Sequence, residues 1–166
     1  MPTPLPKSIT RAVWVLVAVV AASAVITVLT LWRNDEIILA WSEGNSSARE
    51  LLASGGLEAL KASPIVPKFG QLAVVALVWF VMLVWVLGAC LVGGHNWARH
   101  WLTATVFVGV VVAVVSLINH LPTSFVVVSV VLLVLDAALL YFVWHKDSTA
   151  YMRSFRKPRA KDLSAA

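Results

Sequence analysis

Charge is scarce in this chain. Only 13% of its 166 residues are Asp, Glu, Lys or Arg, while 60% are hydrophobic. Soluble domains average about 25% charged and 45–50% apolar residues. With a mean hydropathy of +0.89, a water-soluble fold of this length could not cover its apolar surface, so much of the solvent must be lipid. Cysteine occurs once, at Cys90 within an apolar run, which excludes a disulfide inside the chain. No catalytic constellation, metal-ligand cluster or nucleotide-binding loop is spelled out, and no cofactor is expected.

What is present is a set of four apolar runs. The middle of the chain, Leu72 to Ile118, is broken only by Gly93-Gly94-His95-Asn96-Trp97-Ala98-Arg99-His100 and reads as a helical hairpin inside a bilayer. One run precedes it and one follows. The spacing predicts a polar N-terminus over 1–10, spans over 11–33, 71–92, 101–119 and 123–144, and turns over 93–100 and 120–122. The first run has 21 residues between Arg11 and Arg33, about 31 Å of helix, one hydrocarbon thickness. Lys7, Arg11 and Ala22-Ser23-Ala24 imitate a secretory signal, but the chain stays apolar through Leu31, which favours an uncleaved anchor.

The 34–70 loop is the only sizeable segment outside the spans. Ile37, Ile38 and Trp41 recur at helical spacing beside Asp35, Glu36 and Glu43. Ser47-Ala48-Arg49-Glu50 has capping-box spacing, Gly55-Gly56 interrupts the pattern that follows, and Pro64 and Pro67 stop it. Short amphipathic helices are expected here, lying on the membrane or capping the bundle. Asn45-Ser46-Ser47 matches a glycosylation acceptor, a three-residue pattern that chance supplies often.

Basic residues set the orientation. Nine of the 13 lysines and arginines fall in the N-terminus, the middle turn and the 145–166 tail, against four in the long loop. The positive-inside rule therefore puts both termini in the cytoplasm of a multi-pass plasma-membrane protein. The tail cations Arg153, Arg156, Lys157, Arg159 and Lys161, with Trp97 and Arg99 of the middle turn, are expected to meet anionic lipid headgroups. No folded basic face accompanies the tail, so nucleic acid is not an expected partner.

Asp136 is the one charge inside a span. Ten residues, or about 15 Å of helix, separate it from Lys146. A carboxylate at that depth costs at least ~2.5–3.5 kcal/mol, so the side chain is expected to face the bundle interior. Ser23, Trp85 and Thr105 are its expected polar neighbours. Two roles compete: an intramembrane coupling or ion site, and a neutral carboxyl gluing helices at ~0.6 kcal/mol per bond. His95, His100, His120 and His145 all fall near the ends of spans, too shallow for a haem held between helices, and they do not form a metal cluster.

Gly94-His95-Asn96-Trp97-Ala98-Arg99 before the third run, with Ala150-Tyr151-Met152-Arg153 after the fourth, resembles a family of small actinobacterial integral membrane proteins. The resemblance covers the second to fourth runs. It implies four spans and a bacterial plasma membrane, and supplies no activity.

The expectation is thus an all-α, integral membrane four-helix bundle, up-down-up-down, with a helical cap in its first outer loop. The leading functional expectation is a non-enzymatic accessory or scaffold subunit of a cell-envelope membrane complex, paired with a membrane-protein partner or with its own copies. The rival is a small oligomeric transporter or channel using Asp136.

Overall fold

The computed structural model describes residues 5–118 and 122–155. Their secondary structure is helical: α1 (Lys7–Trp32), α2 (Asn34–Glu43), α3 (Ser46–Ala62), α4 (Phe69–Val92), α5 (Asn96–Ile118), α6 (Thr123–Trp144) and α7 (Lys146–Ser154). α1, α4, α5 and α6 are each long and apolar enough to cross a membrane. They hold 26, 24, 23 and 22 residues, about 33–39 Å of helix. The all-α four-helix bundle stands.

Around the bundle, α1 packs against both α4 and α6, α6 packs against α5, and α4 meets α5 most weakly. Hydrogen bonds at one end fix the alternation. The Ser8 and Ser148 hydroxyls lie 2.9 Å apart, the Tyr151 hydroxyl donates to the Val92 carbonyl at 2.8 Å, and Arg99 Nη2 donates to Thr149 Oγ1 at 3.0 Å. The start of α1, the end of α4, the start of α5 and all of α7 therefore share this terminal end. Its core is dense, built on Ile9, Ala12, Leu87, Leu91, Ala98 and Val143. Ala12 and Ala98, both wholly buried, let neighbouring helices approach closely, which is how spans associate where lipid removes the hydrophobic drive.

Two boundaries differ from expectation. α1 starts at Lys7 rather than near residue 11, and α5 starts at Asn96, which narrows the middle turn to Gly93-Gly94-His95. Gly94 takes φ +76°, and the Gly94 and His95 amides donate to the Leu91 and Cys90 carbonyls. This is a Schellman closure, which needs a residue able to sit in the left-handed region.

α7 was not anticipated, since the tail read as polar from His145 onward. It turns back across the bundle end with Ser148 and Met152 buried. His145 Nδ1 caps it by accepting from the Asp147 amide at 3.3 Å.

At the other end, α2 and α3 form a cap with a small core of its own: Ile38, Ala48 and Leu60, flanked by Trp41, Leu57 and Phe69. The expected Ser47 capping box is not the cap. Asn45, in extended backbone, accepts from the Ala48 amide at 3.3 Å. Asparagine is among the best N-caps, and its position puts the helix start one residue ahead of Ser47. α3 kinks at Gly56, φ +71°. Lys61 joins the cap by donating to Asp35 at 2.8 Å and Glu58 at 3.2 Å, and its ammonium pKa is raised, chiefly by the Asp35 bond. Arg33 ties this end to the bundle, pairing with Glu36 at 3.0 Å and donating to Ser124 Oγ at 2.9 Å.

Candidate functional site

Packing is uneven along the bundle. The terminal end is filled, but beyond Leu16, Val84, Leu102 and Leu139 the four spans enclose a cavity of 680 Å³. Its wall is mostly Leu, Val and Ala from all four helices. The polar exceptions are Ser23 and Thr27 on α1, Thr105 and Ser116 on α5, and Ser129 and Asp136 on α6.

The way in lies between α4 and α5. Lining residues from α1 and α6 are all buried or half-buried, whereas Ala76 and Leu83 of α4 and Trp101, Ala104, Val108 and Val112 of α5 line the cavity and are also exposed. A residue that does both stands at an opening. These two spans pack together more weakly than the other adjacent pairs, so the hollow opens sideways, where lipid tails would lie.

Asp136 sits on the inner wall, 8% exposed. Its backbone position directs the side chain across the cavity toward α5, and a Cβ at Gly109 would come 3.1 Å from Oδ2. The lack of a side chain at 109 makes the room the carboxyl occupies. Among the described residues none hydrogen-bonds to this carboxyl. The hydroxyls around it are otherwise engaged: Ser23 donates to the Val19 carbonyl, Thr27 to Ser23, Thr105 to Trp101 and Ser116 to Val112, at 2.9–3.1 Å. Each is a bond back to the preceding turn of its own helix. Their protons are spent, and what they turn to the cavity is oxygen.

Of the expected neighbours of Asp136, Ser23 and Thr105 line the same cavity. Trp85 does not: it is 79% exposed on the outer face of α4. Helical spacing explains this, since Leu77, Phe80 and Val84 form the inward stripe and Trp85 falls one position past it.

Among the expected headgroup residues, Trp97 and Arg153 are exposed. Arg99 is only 2% exposed and is placed differently. Its guanidinium lies 4.4 Å over the Trp144 ring and bonds to Thr149, and its Nε has no hydrogen-bond partner among the described residues. α7, which the sequence did not announce, closes over it. Arg156, Lys157, Arg159 and Lys161 lie outside the described residues, as does His120.

Sequence reasoning passed over Thr27, Gly109, Ser116 and Ser129 as site residues. The signal was there: Ser23 and Thr27 are one turn apart, Thr105 and Gly109 likewise, and Ser129 and Asp136 two turns apart. Small and polar residues thus recur on one face of each of three helices.

Comparison of the chain with family models, with curated proteins and with solved structures finds no match. The geometry alone carries the functional conclusion.

Proposed function

We propose that this multi-pass membrane protein is a small transporter that takes a ligand into its intramembrane cavity and uses Asp136 as the coupling carboxyl. One observation carries this: a 680 Å³ cavity, open sideways between α4 and α5, ends on Asp136, a residue 8% exposed whose carboxyl bonds to no described residue. Ionisable groups within spans are costly, and the usual return on that cost is a substrate or ion path. A carboxyl serving as interhelical glue would be bonded across helices, and no described residue bonds to Asp136. In proteoliposomes, Asp136→Asn should abolish flux while expression and assembly stay intact. Flux unchanged by this substitution would end the proposal.

The scaffold reading keeps one observation in its favour. The α2–α3 cap is a folded unit with its own core, a surface on which an envelope partner could dock. It calls for a stoichiometric partner on mild-detergent purification, whereas a lone monodisperse species counts against it. In either case the basic excess favours cytoplasmic termini and an outer cap in a bacterial plasma membrane, with the tail on anionic lipid. Reporter fusions in the 40–60 segment and at the C-terminus should report opposite faces.

A further inference from the structure

We infer that the cavity ligand is a protonated amine carried on a compact apolar body, without a phosphate, that enters from the bilayer between α4 and α5. The inference rests on the cavity-binding reading above and names the ligand class. Its warrant is the balance of donors and acceptors. No Lys, Arg, His, Asn or Gln lines the cavity. Four of the five lining hydroxyls have given their protons to their own helices. The remaining polar surface is the Asp136 carboxyl, a set of hydroxyl oxygens and, at the opening, the Trp101 indole N–H, with Ser129 the one lining hydroxyl that bonds to no helix carbonyl among the described residues. Such a wall accepts hydrogen bonds and offers almost none, so a matching ligand brings the donors. An ammonium has three and no acceptor, and in a low-dielectric site its pairing with a carboxylate is a strong, charge-assisted bond. An anion would find only the Ser129 hydroxyl and the Trp101 indole N–H as donors, and would face the carboxylate.

Depth sets the rest. Asp136 lies 10 residues from the Lys146 end of its helix and 13 from Thr123, about 15 and 20 Å. A phospholipid amine is tethered to a phosphate that would have to follow it to this depth, where Asp136 and hydroxyl oxygens outnumber the donors. The apolar walls, by contrast, suit a hydrocarbon or aromatic body, and ligand sites of this kind fix orientation with a few placed polar groups.

The test uses the full chain in phosphatidylcholine nanodiscs, with energy transfer from tryptophan to three pyrene probes: 1-pyrenemethylamine, 1-pyrenemethanol and 1-methylpyrene. Empty discs give the partition baseline. The amine should bind at least tenfold tighter than methylpyrene, with the alcohol between them. Asp136→Asn should bring the amine down to the level of the alcohol. Ala104→Trp, which crowds the opening, should weaken all three, and the outward Trp85→Phe none. If all three probes bind equally and only Ala104→Trp removes them, the cavity-binding reading stands and the amine assignment falls. If no probe exceeds empty discs, both fall. Displacement of the amine by phosphatidylethanolamine in the discs would overturn the exclusion of phosphate-bearing ligands.

Discussion

Replacing Asp136 by leucine should make this protein more stable and leave it without function. The residue is 8% exposed, its carboxyl is unbonded by any described residue, and the cavity wall around it is mostly Val, Leu and Ala. Holding a polar group in that condition costs about 1–3 kcal/mol on mutational scales. Leucine is close in size, has no group to desolvate, and the adjoining 680 Å³ leaves it room to find a rotamer. Asp136→Leu should therefore raise the unfolding free energy by about 1–3 kcal/mol, roughly 5- to 140-fold in the unfolding equilibrium. Titration with SDS in mixed micelles, followed by far-UV circular dichroism, reads this shift directly. Asp136→Asn, which keeps a polar amide in place, should show little or none of the gain. The discriminating result is a loss. If the leucine variant is less stable than the parent by more than ~0.6 kcal/mol, the carboxyl holds helices together and the site argument is wrong.

Gly94→Ala should detach α7, because φ +76° disfavours any side chain by about 1–2 kcal/mol and its Cβ would fall 2.5 Å from Phe155 Cδ2; faster proteolysis of the tail would show it. Arg99→Lys should destabilise the terminal end, since an ammonium cannot both sit as the guanidinium does, 4.4 Å over the Trp144 ring, and keep the fork's bond to Thr149. A double-mutant cycle with Trp144→Leu should return a coupling of about 1–2 kcal/mol, and zero coupling would contradict the geometry. The Lys61 bridge should respond to alkali: a pKa raised above the ordinary 10.5 means its contribution is complete below that value and is lost as pH climbs through the higher folded value. Lys61→Arg should keep its helix content at high pH better than the parent, by circular dichroism.

The sequence and the structure divide along a physical line. Membrane spanning is a local property: 20 or so consecutive apolar residues are enough, so the four spans were legible from composition alone. The kink at Gly56 and the stops at Pro64 and Pro67 were legible for the same reason, being written into single residues. Boundaries slipped where polar residues stay helical past the lipid, as at Lys7–Thr10 and Asn96–His100. α7 was missed because nine residues carry too short a period to stand out, and its helix depends on docking Met152 and Ser148 into the bundle end.

The sequence by itself determined that this chain lives in lipid, crosses it four times and keeps one carboxyl deep inside. Only the tertiary structure decided what surrounds that carboxyl. A cavity is a property of the distances between helices far apart in the chain, set by which small residues meet. Ala12 and Ala98 sit in the dense core of one end of the bundle, while α4 and α5 pack together weakly and leave Asp136 facing space. The same holds for Arg99, whose place under α7 depends on a segment some 50 residues further along the chain.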